Sequence, residues 1–117
     1  MRILIADNRP KVRFALRVAL EQQPGFKTIG EANDAQDLIA QSIVICPDLA
    51  IVDWELPDLP IGDLIHKLKH QCQRVRVIVL GRQDETRDQA LAAGANAFVC
   101  MGHAPDELVS AIKACSV

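Results

Sequence analysis

The sequence has no basic tail and no arginine-rich block: thirteen Lys and Arg stand against fifteen Asp and Glu, a formal charge of −2. Chains that track a phosphate backbone carry the opposite imbalance, so direct nucleic-acid binding by this segment is not expected. No apolar run approaches the length that crosses a bilayer, and Met1 leads straight into a strand pattern without a signal-type stretch. The expectation is a cytoplasmic protein without membrane contact. Cys46, Cys72, Cys100 and Cys115 form no CxxC pair, which argues against a zinc ribbon or a thioredoxin-like redox motif. A chain with 50% hydrophobic residues does not need disulfide staples, so these thiols read as buried or incidental. Gly81, Gly94 and Gly102 compose no phosphate-cradling loop. Internal repeats, low-complexity tracts and linkers are also missing.

What is present is a regular alternation. Short aliphatic runs at Ile3 to Ala6, Thr28 to Ala32, Leu49 to Val52, Val77 to Leu80 and Ala97 to Cys100 read as buried parallel strands. Between them the apolar residues recur at helical spacing. The sets are Val12, Ala15, Leu16, Ala19 and Leu20, then Ala35, Leu38, Ile39 and Ser42, then Ile61, Leu64, Ile65 and Leu68. A fourth, polar segment runs from Glu85 to Ala93, and a fifth carries Leu108, Ala111, Ile112 and Cys115 after a favourable first turn of Pro105, Asp106 and Glu107. Pro24-Gly25, Pro47 and Gly94 supply the stops. Five βα units in 117 residues predict one domain over residues 1–117, an α/β flavodoxin-like doubly wound fold with a five-stranded parallel sheet in the order 2-1-3-4-5. Ligands of such sheets bind beyond the carboxyl ends of the strands, where the strand order reverses.

That is where the acids fall. The first strand ends in Asp7-Asn8 and the third in Asp53, with Glu55 two residues on. Carboxylates crowded at one strand end repel one another and are kept charged by a hard cation such as Mg²⁺. A carboxylate next to such a cation can accept a phosphoryl group as a nucleophile. From spacing alone an equal alternative stands open: Asp7-Asn8 caps the first helix, with Pro10 in its first turn.

The stretches "RILIADNRPKVRFALRVALEQQPGFKTIGEA", "PDLAIVDWELPD", "RVRVIVLG", "ALAAGANAFV" and "APDELVSAI" occur in an order and spacing that resemble the receiver domain of bacterial two-component response regulators. The similarity extends over essentially the whole chain and lies with the subfamily whose receivers precede a helix-turn-helix output domain. The resemblance implies that Asp53 is the phosphoacceptor, that Asp7 is one of the paired metal-site acids, and that the main-chain carbonyl of Glu55 is a Mg²⁺ ligand. It implies a sensor histidine kinase as partner, docking on the first helix. The fourth helix and the adjoining strand would form an output and homodimer surface, and DNA would be reached only through a separate output domain.

Three signature positions depart from the family. Its second metal-site acid is Asn8 here, which offers a neutral carbonyl oxygen and weakens the metal site unless the Glu55 side chain turns inward. Its switch hydroxyl after the fourth strand is Gly81. Its phosphate-clamping lysine is Met101, so a charge-assisted hydrogen bond of about 1.5–3 kcal/mol is lost. The expectation is a degenerate, atypical receiver. The rival reading is a phosphorylation-independent interaction module controlled by a protein or a small ligand. A multiple-turnover enzyme is not indicated, because no second nucleophile, base or cofactor loop is visible.

Outside the acidic cluster, His66 and His70 lie one helical turn apart but beside Lys67 and Lys69 without a third ligand, so a solvated face is the simpler reading. His103 reads as a loop histidine. Phe14 and Val18 form a second apolar stripe on the first helix, either a partner surface or packing against the last helix. Arg9, Lys11, Arg13 and Arg17 flank that stripe and suggest an acidic partner. Trp54, the lone tryptophan, reads as a shield over the loop after Asp53.

Overall fold

The computed structural model describes residues 1–82, 86–100 and 105–115, with the side chains of residues 105 and 106 left aside. Five strands and five helices alternate: β1 (Arg2–Ala6), α1 (Pro10–Glu21), β2 (Lys27–Ala32), α2 (Ala35–Ile45), β3 (Leu49–Asp53), α3 (Ile61–Gln71), β4 (Arg76–Gly81), α4 (Arg87–Ala92), β5 (Ala97–Cys100) and α5 (Pro105–Cys115). The strands are parallel and ordered β2-β1-β3-β4-β5, as the run of βα units predicts. Most strands extend one residue beyond their aliphatic runs, because Arg2, Lys27 and Arg76 enter the ladder with exposed side chains.

Every residue of β3 is buried, the pattern of a central strand covered on both faces. One apolar layer packs Leu4, Ala50, Val52, Val77 and Val79 against Leu38 of α2, Leu64, Ile65 and Leu68 of α3, and Ala90 of α4. The other packs Ile3, Ile5, Ile51, Ile78 and Leu80 against Leu20 of α1 and Leu108 and Ile112 of α5. The helical stripes sit as their spacing requires, except that α1 has a narrower inner face: Leu20 is fully buried, whereas Ala15 is exposed.

Local chemistry fixes the helix ends. Asp34 caps α2 by accepting the Asp37 N–H at 2.7 Å. Gly94, at φ 109, follows α4 in a conformation that only glycine adopts without strain. The start of α1 does not follow the capping alternative. Its N-cap is Arg9, with Pro10 opening the helix and no side-chain cap bond, so Asp7 and Asn8 do not cap it. Asp7 is thereby left for the pocket.

Among the described residues, no helix is long and apolar enough to cross a membrane. The four cysteines are free: Cys72 and Cys100 buried, Cys115 partly so, and Cys46 exposed.

Candidate functional site

Strands β1 and β3 are neighbours, and their register ends with Ala6 opposite Val52. The next residue of each strand, Asp7 and Asp53, therefore emerges side by side at the carboxyl edge, and both are buried. Two carboxylates drawn from water in one place need a counter-charge. The structure supplies it from the chain itself.

Arg9 folds back over the pair. Its main-chain N–H donates to Asp7 Oδ1 at 2.9 Å, its Nε to the same oxygen at 3.1 Å, and its Nη2 to Asp7 Oδ2 at 3.0 Å. The same Nη2 reaches Asp53 Oδ1 at 3.5 Å. This is the two-pronged geometry in which guanidinium and carboxylate pair most strongly. Arg13 Nη1 donates to the Asp7 carbonyl at 2.6 Å, and the Asp7 N–H donates to the Ala32 carbonyl at 3.0 Å, so Asp7 is fixed through main chain and side chain alike.

Asp53 is less completely served. Burial, then the neighbouring Asp7 charge, push its carboxyl up to about 6. Arg9 pulls in the opposite direction, as does the Glu55 N–H that donates to the carboxylate, while the Glu55 charge adds a further upward push. The Arg9 guanidinium is in turn held above its ordinary value, chiefly by its hydrogen bond to Asp7. The pocket thus gathers two buried carboxyl groups and one guanidinium at the carboxyl edge of the sheet.

The other sequence-derived site residues divide. The side chains of Asn8 and Glu55 are exposed, and Glu55 reaches Asp53 through its main-chain N–H and through space. Trp54 is half-buried, packs on the α2/α3 layer, and donates its main-chain N–H to the Leu80 carbonyl at 2.7 Å. Met101 and His103 lie outside the described residues, as do Asp84 and Glu85. His66 and His70 are exposed on α3, and among the described residues no three His, Cys, Asp or Glu side chains gather to hold a metal. The donor set at the acidic pocket does not suit a divalent ion as it stands. Asp7 offers no oxygen that Arg9 has not engaged, and Asn8 faces solvent.

Gly81 is not an empty strand end. A Cβ built there would lie 2.5 Å and 2.6 Å from two ring atoms of Phe98 and 2.8 Å from Thr86 Oγ1. Gly81 pairs with Cys100 in the β4/β5 register, so the Phe98 ring of β5 has closed over the space that a side chain at position 81 would take. The guanidinium of Arg87 lies 5.2 Å from the ring centroid and covers its outer side. The space beside Gly81 is thus filled by an aromatic ring, a contact that no local sequence pattern reports.

On α1, Phe14 is 66% exposed and Val18 41% exposed. They border a shallow groove shared with Ala15, Ala19 and Val109 of α5. The groove sets the stripe beside Val109 of α5 without burying Phe14 or Val18. Three of the four basic residues of the flank are paired within the chain, while Lys11 is exposed. Arg9 is committed to Asp7, Arg17 Nη1 pairs with Glu31 Oε2 at 2.8 Å, and Arg13 Nε with Glu31 Oε1 at 3.4 Å.

A family model described as the response regulator receiver domain matches residues 3–113. Among curated relatives, the chain is 33% identical to BvgA of Bordetella pertussis over 97% of its own length and 54% of that protein. It is 29% identical to the response regulator UvrY of Escherichia coli K12 over 95% of its length and 52% of that protein. The chain therefore spans about half the length of these relatives. RcsB of Salmonella enterica serovar Typhimurium, solved bound to the promoter rprA with the phosphomimetic BeF₃⁻, superimposes with a TM-score of 0.88 at 27% identity, covering 100% of this chain and 99% of that one. The strand order, the paired acids at the switch point and these matches agree, and the chain belongs to the response regulator receiver family.

Proposed function

We propose that this receiver accepts its signal as a phosphoryl group on Asp53. The observation that carries the reading is the position of that carboxylate: at the end of the central strand, beside Asp7 and facing a cation. One Asp53 oxygen attacks the phosphorus of a histidine kinase phosphohistidine. The P–N bond breaks, its electron pair returns to the imidazole nitrogen, and an acyl phosphate remains on Asp53. Burial strips water from the nucleophile without protonating most of it at neutral pH.

In the receiver family Mg²⁺ supplies the neutralising charge. A metal held here by Asp7, Asp53 and the Glu55 main chain, with weak help from Asn8, requires Arg9 to leave Asp7 first. The kinase docks on the outer face of α1 through Phe14 and Val18. The phosphorylated domain then acts on transcription through a DNA-binding output domain outside this chain, as the promoter-bound relative suggests. Phe98 over Gly81 removes the hydroxyl route between Asp53 and the α4–β5 face, so the output signal travels by charge and packing rather than by that bond.

The test is the intact mass of the domain after incubation with acetyl phosphate, beside an Asp53→Asn control. One added phosphate on the wild type alone is expected. An unchanged mass, under conditions that label an ordinary receiver, would reject the reading in favour of a phosphorylation-independent module.

A further inference from the structure

The place between Asp7 and Asp53 already holds a cation. Arg9 sits in extended backbone (φ −102, ψ 107) just before Pro10, the first residue of α1. Proline cannot extend the helix backwards through a hydrogen bond of its own, and its ring restrains the preceding residue to this extended region. The Asp7 carboxylate then captures the Arg9 main-chain N–H at 2.9 Å, closing a two-residue turn that throws the side chain back over the strand ends. The guanidinium is thus delivered to the carboxylates by the covalent path of the chain. Three donors of one residue meet Asp7, and one of them also reaches Asp53.

We propose that Arg9 is a tethered cation standing in place of the divalent metal, so that this receiver excludes Mg²⁺ from the acidic pocket and holds its phosphoryl-accepting carboxylate ready without it. The inference rests on the reading of Asp53 as the acceptor. Its physical basis is competition. A guanidinium is charged at every accessible pH, is less strongly hydrated than an ammonium, and matches carboxylate and phosphate edges with parallel donors. Mg²⁺ demands near-octahedral oxygen ligation and gives up its waters reluctantly. To enter, it must break both prongs on Asp7, leave a guanidinium close beside it, and accept a neutral amide at position 8 where a carboxylate would help. An arginine tethered two residues from Asp7 also has an effective concentration far above that of a free ion. Arg13 strengthens the bias: its Nη1 on the Asp7 carbonyl places a second positive group against the same residue. Because a guanidinium can form two parallel hydrogen bonds to phosphate oxygens, the group that neutralises the unphosphorylated pocket is suited to receive the phosphoryl group when it arrives.

The test is a Mg²⁺ titration followed by calorimetry and by the fluorescence of Trp54, the single tryptophan, next to Asp53. The wild type, Arg9→Met and Arg9→Lys are compared. No saturable binding is expected for the wild type through the millimolar range. Arg9→Met, which keeps the length of the stem and removes the charge, is expected to gain Mg²⁺ affinity by about tenfold or more, equivalent to about 1.4 kcal/mol. Arg9→Lys, which keeps the charge without the fork, should fall between them. Saturable millimolar binding by the wild type overturns the proposal whether or not the variants fold, and so does a folded Arg9→Met with no gain. A second arm follows acetyl phosphate labelling in excess chelator: label within about twofold of the Mg²⁺-containing reaction is expected, and label that needs Mg²⁺ overturns the proposal. Failure to label under any condition, Arg9→Met with Mg²⁺ included, rejects Asp53 as acceptor and leaves the titration to decide the role of Arg9.

Discussion

Replacing Asp53 with Asn should stabilise the domain at neutral pH and lose that advantage in acid. The carboxyl is raised from 3.8 to about 6, first by burial and then by the charge of Asp7. Between those values the folded chain holds a proton that the unfolded chain has released, so wild-type stability falls as pH rises through the window. Over the full window the shift corresponds to about 3 kcal/mol. Between about pH 4.5 and pH 7.5 the part expressed is about 2 kcal/mol, because protonation of the folded form is nearly complete at the lower pH and slight at the upper. An asparagine keeps an acceptor for the Glu55 N–H and for Arg9 Nη2 and carries no charge, so it mimics the protonated acid at every pH. The assay is urea unfolding of both proteins across this range. Other titrating groups are common to the two and cancel to first order in the difference. A wild-type-to-variant gap that stays constant with pH, or that widens toward acid in favour of Asn, would refute the claim that burial and Asp7 hold the ionised Asp53 at a cost.

Two pairs of substitutions test packing, one beside Gly81 and one on α1. Gly81→Thr restores the side chain that receivers carry there, but its Cβ meets the Phe98 ring and Thr86 Oγ1 well inside contact distance. It should cost about 1–3 kcal/mol by overpacking, and Phe98→Ala in the same chain should recover part of the loss relative to Phe98→Ala alone; thermal and urea unfolding of the four proteins checks this. Phe14→Glu alters a side chain that is 66% exposed and should leave stability within about 0.5 kcal/mol, whereas Leu20→Ala, fully buried on the same helix, should cost about 2–5 kcal/mol; a Phe14→Glu loss of similar size would mean that the outer stripe is structural.

The sheet was legible because period and burial are local properties of the chain. Aliphatic runs of four or five residues separated by helical stripes leave little choice but parallel strands with crossovers. The juxtaposition of Asp7 and Asp53 was legible for the same reason, since strand ends in a parallel sheet share one edge. Arg9 was harder to read. In the sequence it stands among Lys11, Arg13 and Arg17 and looks like one more charge on a helix surface. Its direction is decided by a turn of the main chain ahead of Pro10, not by helical spacing, and the pattern Asp-x-Arg-Pro at a strand-to-helix junction was the available signal. Phe98 was hidden for a different reason. Its contact with Gly81 crosses from β4 to β5, and no local pattern reports which way a ring leans between neighbouring strands. A glycine closing one strand and an aromatic in the adjacent strand hint at such a pairing only once the strand order is known.

The ring against Gly81 ties positions 81 and 98 together in packing. A hydroxyl-bearing residue at position 81 arrives in a space already filled, and a smaller residue at position 98 opens a void beside a bare glycine. The cost of either change is then expected to depend on the residue at the other position, so that the identity of one side chain sets what the other strand can carry.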